Sequence, residues 1–186
     1  MSDRVGKPAS HTEKIGAKGT SDQSYSREVP TRDLDMRIAA DGTWYHEGAP
    51  INRKPLVKLF ASVLRREQDG TFWLRTPVEA GRIVVDDAPF TAVEVERTGA
   101  GRDQVLRFRT NLDEWVAADR DHPIRVVTDA ASGTPRPYVL ARDRLEALIV
   151  RPVFYRMVEF AEPAEEEAGM LGVWSGGVFF KLGKAM

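Results

Sequence analysis

The residues best suited to chemistry in this sequence are arginines set beside aromatic rings on strand-like segments. In Val105-Leu106-Arg107-Phe108-Arg109-Thr110-Asn111, alternation sends Arg107 and Arg109 to one face and Leu106 and Phe108 to the other. The segment ends in two hydrogen-bonding side chains, Thr110 and Asn111. In Phe72-Trp73-Leu74-Arg75-Thr76-Pro77, Trp73 and Arg75 share a face in the same way. A guanidinium fork beside an aromatic plane can hold a phosphate and stack a base, although arginines on a strand face more often simply solvate it. Trp73 would stack, Arg75, Arg107 and Arg109 would pair with anionic oxygens, Thr110 and Asn111 would fix orientation, and Tyr138 and Trp174 would supply an opposite wall.

The carboxylates offer less. Asp86-Asp87 precedes Pro89 at a strand end, where a hydrolytic role is conceivable and a turn role is commoner. The run Glu165-Glu166-Glu167 reads as a solvated acidic loop. His46 and Glu47 are adjacent on a strand and so point to opposite faces, which argues against an acid–base pair. His11, His46 and His122 are the only histidines, and none is spaced with a second good metal ligand. The sequence has no G-x-x-x-x-G-K-[ST] loop, G-x-G-x-x-G turn, G-x-S-x-G elbow or H-E-x-x-H helix. No cofactor is expected, and non-enzymatic binding is the better expectation.

Composition narrows the partners. The 27 basic and 28 acidic residues of the 186 leave a net charge of -1, so no overall field draws the chain to nucleic acid or an anionic membrane. Zero cysteines exclude disulfides and thiolate sites and agree with a reducing compartment. The longest apolar run of the C-terminal half, Leu145 to Val150, is too short to span a bilayer, and Met1 to Gln23 lacks the apolar core of a secretory signal. A cytoplasmic location is expected.

The elements that must position these residues follow from periodicity. Residues 1–28 are polar and read as a flexible tail. Met36 to Ala39 and Thr43 to Glu47 read as paired strands about an Asp41-Gly42 turn. Asn52 reads as the N-cap of a helix running to about Glu67, with Leu56, Val57, Phe60, Val63 and Leu64 at helical spacing and Pro55 in its first turn. A strand over 71–76 follows. Short period-two runs from Arg82 to Thr128 predict a strongly bent antiparallel sheet. Tyr138 to Leu140 reads as a strand, Arg142 to Val150 as a helix restarted by Pro152 through Phe160, and Met170 to Leu182 as a hairpin about Gly176-Gly177. The stretches 44–76 and 138–182 share the order strand, helix, Gly turn and aromatic strand, which suggests an internal duplication or the chance likeness of two common units.

Several ordered segments resemble a bacterial family, domain of unknown function 1285: Asp41-Gly42-Thr43-Trp44 with Gly48-Ala49-Pro50-Ile51, the run Asp69 to Glu79, Val85 to Phe90, Phe108 to Asn111, and Gly172 to Gly177. The resemblance covers about Leu34 to Lys184. It implies an α+β fold of two related lobes, an N-terminal strand–helix–strand lobe over 29–88 and a C-terminal β-roll lobe over 89–186, loosely like pleckstrin-homology folds and built of antiparallel sheet with a helix. It also implies a site between the lobes suited to a nucleotide-like small ligand and a part in signalling, with no catalytic residues to carry over. The expectation is a regulatory ligand-binding module. The alternatives are a protein-interaction module without a small ligand, or a hydrolase using Asp86 or Asp87.

Overall fold

A computed structural model describes residues 30–129 and 132–184; the expected tail over 1–28, with His11, lies outside the described residues. The chain is mostly β with two helices, arranged as two lobes. In the N lobe, β1 (Thr31–Ile38), β2 (Trp44–His46), β3 (Ala49–Pro50), β4 (Leu64–Arg66), β5 (Phe72–Arg75) and β6 (Ala80–Val85) form one sheet in the order β3-β2-β1-β6-β5-β4. Neighbours are antiparallel except β1 and β6, which run parallel. β1 begins five residues earlier than its apolar end suggests, because alternation already turns Leu34 inward with Met36 and Ile38.

Helix α1 (Lys54–Ser62) buries Val57 and Ala61 against this sheet. It is shorter than its pattern predicts. Its N-cap is Arg53 rather than Asn52 and provides no side-chain cap, and beyond Val63 the chain turns into β4, where Leu64 pairs with Leu74 of β5. The cross-strand bonds of β4 outweigh about five further helical residues.

In the C lobe, β7 (Phe90–Thr98), β8 (Val105–Thr110), β9 (Trp115–Ala117), β10 (Ile124–Thr128), β11 (Pro135–Arg142) and β12 (Leu145–Ile149) form a second sheet in the order β10-β11-β12-β7-β8-β9. The sheet is not wholly antiparallel, since β12 runs parallel to β7. Residues 145–149 are a strand and not the expected helix: Leu145, Ala147 and Ile149 are buried while Glu146 and Leu148 are not. Helix α2 (Arg151–Val158) starts after them with Pro152 in its first turn, as expected. A third sheet of β13 (Glu162–Pro163), β14 (Met170–Ser175) and β15 (Val178–Lys184) closes the lobe. The buried Ser175 hydroxyl stitches it to the second sheet, donating to Ala118 O at 2.6 Å and accepting from Leu106 N at 2.8 Å. Each helix thus precedes three antiparallel strands, β4-β5-β6 and β13-β14-β15. Among the described residues no helix is long and apolar enough to cross a membrane.

One apolar core runs through both lobes, from Met36 and Trp44 to Phe108, Met157 and Leu182. Polar contacts register the seam. Asn111 Oδ1 accepts from Thr91 N at 3.2 Å, and its Nδ2 donates to Gly42 O at 3.4 Å; Gly42 has a φ of +85°, and a Cβ there would stand 2.7 Å from Asn111 Nδ2. The linker is fixed residue by residue: Asp86 pairs with Arg37 of the N lobe, while Asp87 pairs with Arg136 and accepts from the Tyr138 hydroxyl of the C lobe at 2.8 Å. Burial, and then Asp87, push the Tyr138 hydroxyl above its ordinary pKa. Asp113, in the turn after β8, accepts from Lys54 Nζ at 2.8 Å and Lys58 Nζ at 2.9 Å, both on α1.

These contacts yield two tests. The bonds from Lys54 and Lys58 hold the Asp113 carboxyl down to about 2 from 3.8, so its contribution is complete above the unfolded value and is lost as pH falls through the folded one. Acid unfolding of Asp113→Asn should therefore be flatter than wild type between pH 4 and pH 2; superimposable curves would remove the clip from the seam. Tyr138→Phe should lower stability by about 1 kcal/mol, a drop in Tm of about 2–4 °C in a thermal scan, because Asp87 loses a buried donor.

Candidate functional site

Among the described residues, an apolar space lies between α1 and the N-lobe sheet. It is a cavity of about 330 Å³, at the small end of small-molecule sites. Strand alternation places Leu34 and Met36 of β1, Leu74 of β5 and Gly81 of β6 on its floor, and the helical spacing of Leu56 and Phe60 forms its roof. Gly81 is required there: a Cβ would stand 2.2 Å from Leu34 Cδ1. Behind the roof, Phe60 stacks on the fully buried Trp44 with ring centroids 6.2 Å apart.

The rim is polar. Arg32 Nη2 reaches Glu79 Oε2 at 3.3 Å, with both side chains more than half exposed. The Thr76 hydroxyl is spent locally, donating to Glu79 O and accepting from Glu79 N, both at 3.1 Å. His46, on the same sheet face as Met36 and exposed, makes no polar side-chain contact among the described residues. Walls that bind apolar groups therefore meet a mouth that carries charge.

The residues singled out from the sequence are distributed otherwise. Trp73 and Arg75 do share a face of β5, with the guanidinium 5.7 Å from the indole centroid, but Arg75 is ion-paired with Glu67 at 2.8 Å and Trp73 Nε1 donates to Thr71. Arg107 lies over Trp115 and Arg109 bonds Glu94 at 2.6 Å and Asp113 at 3.3 Å, a contact that raises its pKa. Thr110 is fully buried and caps its own turn, accepting from Leu112 N and Glu114 N. Asn111 and Tyr138 hold the seam and the linker. Trp174 lines a different cavity of about 290 Å³, where Arg102 lies 4.9 Å over its ring and Phe179 meets it edge-on. The structure thus brings together near neighbours within a strand and leaves the β5 and β8 sets on different sheets.

The carboxylates are engaged as well. Asp86 and Asp87 anchor the linker. In the acidic run, Glu165 pairs with Arg102 and Glu167 with Lys181 at 2.7 Å, so that loop is tied down rather than simply solvated. Among the described residues no group of three or more His, Asp or Glu side chains is placed to hold a metal ion.

The cavity itself is not legible in the sequence. Its lining was visible as apolar periodicity, but whether two apolar faces fill the space between them depends on their separation, which no spacing encodes.

Comparison with known proteins places this geometry. No curated protein matches the chain. A crystal structure of a DUF1285 family protein from Silicibacter pomeroyi DSS-3 superimposes with a TM-score of 0.79 at 50% identity, over 84% of each chain. One from Shewanella baltica OS155 gives a TM-score of 0.53 at 26% identity, over 68% of this chain and 91% of that one. Two family models match in succession, "Domain of unknown function (DUF1285), N-terminal domain" over residues 29–88 and "Protein of unknown function (DUF1285), C-terminal domain" over 89–182, and the chain belongs to the DUF1285 family.

Proposed function

We propose that this chain is a non-catalytic regulatory module that binds a small, largely apolar molecule beneath α1. The observation that carries the reading is the cavity: a concave apolar space with a few polar groups at its mouth is the usual form of a small-molecule site. The site moves from the cleft between the lobes to the interior of the N lobe, because the seam is filled by Asn111, the Lys54–Asp113–Lys58 cluster and the Asp87 anchors. A nucleotide is not the ligand in this reading, since the apolar walls offer no polar partners to its base and ribose.

The regulatory part rests on α1. One side of the helix roofs the cavity, while Lys54 and Lys58 on another grip Asp113 of the C lobe. A ligand that lifts the roof strains that grip, so occupancy in one lobe is felt in the other through a shared rigid element. Asp86 and Asp87, as structural anchors, give the hydrolase alternative no free base.

A thermal-unfolding panel of apolar acids, apolar alcohols, aromatic compounds and nucleotides tests the proposal. A ligand at 100 times its Kd stabilises by about 2.7 kcal/mol, or a rise of about 5–10 °C for a chain of this size. The expected result is a concentration-dependent rise with apolar compounds, none with nucleotides, and its loss in Leu56→Trp, which fills the cavity while keeping the wild-type circular dichroism spectrum. A flat panel, or a rise that survives in Leu56→Trp, would overturn it and direct the search to a protein partner.

A further inference from the structure

We infer that the ligand is an apolar monocarboxylic acid, its tail in the cavity and its carboxylate at the rim between Arg32 and His46. The inference rests on the cavity beneath α1 being the binding site, and it concerns which polar head the rim selects.

The rim contains three side chains that can hold a head group. The first is Arg32, whose guanidinium carries five N–H donors in a planar fork. One of them is used, in the single 3.3 Å bond to Glu79, so the fork has donors to spare for a second carboxylate without giving up the first. The second is His46, paired across the strands with Met36, whose ring nitrogens are free of polar contacts among the described residues, so that one can donate to a head group at the rim. The third is Glu79, the one group there that would favour a cationic head. Its charge is already matched by Arg32, and an ammonium drawn to it would stand beside that guanidinium. A neutral alcohol can accept from the same donors but gains no charge assistance. An anionic head is therefore the only one of the three whose bonds to the free donors of Arg32 are charge-assisted. A carboxylate fits the fork bidentately and brings one negative charge to a guanidinium shared with Glu79, whereas a phosphate would bring up to two.

Size completes the argument. At the roughly 30 Å³ that a water occupies in the liquid, 330 Å³ accommodates about ten non-hydrogen atoms, which suits a medium-length aliphatic chain with its head outside the apolar walls.

Decanoate, decanol and decylamine share one tail and differ in the head. Titrated into the full chain below their aggregation concentrations and followed by calorimetry and by amide NMR shifts of β1 and α1, they separate the two levels of the argument. Decanoate is expected to bind most tightly. Arg32→Met, an exposed position whose replacement leaves the fold intact, should weaken decanoate about tenfold, at the low end for a charge-assisted bond because the rim is wet, and leave decanol unchanged. Decanol or decylamine binding as tightly as decanoate, or equal loss for all three in Arg32→Met, overturns the acid while leaving the site in place. No shifts in β1 or α1 with any of the three overturns the site as well.

Discussion

The structure depends on how a nine-residue helix is held at its ends. An isolated helix this short is marginal in water, and α1 lacks the usual local remedies: no side-chain N-cap, no acidic residue in its first turn and no basic one in its last. The other lobe supplies what is missing. Asp113 places a carboxylate between Lys54 and Lys58 at the start of the helix, and Arg142 Nη2 donates to Ala61 O at 2.7 Å near its end. Arg142 is in turn seated over the Phe90 ring, 5.4 Å from its centroid. The roof of the N-lobe cavity is thus clamped by residues of the C lobe.

The same dependence explains why the seam is closed. The chain passes between lobes through Asp86 and Asp87, and each carboxylate is tied to a different lobe, so the linker carries register as well as connection. Glu146 extends the tie, bonding Arg125 on one side and standing 3.8 Å from Arg66 of the N lobe on the other. Exposed pairs of this kind contribute little singly, and the shared apolar core provides most of the cohesion. Their role is to fix one relative arrangement of the sheets, which apolar burial alone does not specify.

A cavity survives in this arrangement because its floor and roof answer to different partners. Leu34 is seated by Gly81, and the floor follows the twist of a six-stranded sheet with one parallel pair. The helix is positioned from outside that sheet, by Asp113 and Arg142. Side chains of ordinary length then meet across part of the interval, as Phe60 and Trp44 do, and leave the rest to a ligand.

Local order was legible in the sequence wherever one period stood alone. The paired faces of Arg107 and Arg109 against Leu106 and Phe108, the Trp73–Arg75 stack, the helix with Pro55 in its first turn and the final hairpin all follow from alternation, helical spacing and turn residues acting over a few positions. Residues 145–149 show where that ends: Leu145, Leu148 and Ile149 fit a helix and Leu145, Ala147 and Ile149 fit a strand, and pairing with β11 and β7 chooses between them. The partners of the arginines were equally hidden, because Glu67, Glu94 and Asp87 are brought to Arg75, Arg109 and Arg136 by pairing between strands and between lobes. The sequence by itself determined which faces are apolar and which side chains stand together within an element. Only the tertiary structure decided that Arg75, Arg109 and Arg136 are spent on carboxylates and that an unfilled space lies beneath α1, because both are distances between segments and sequence spacing encodes distance only within one.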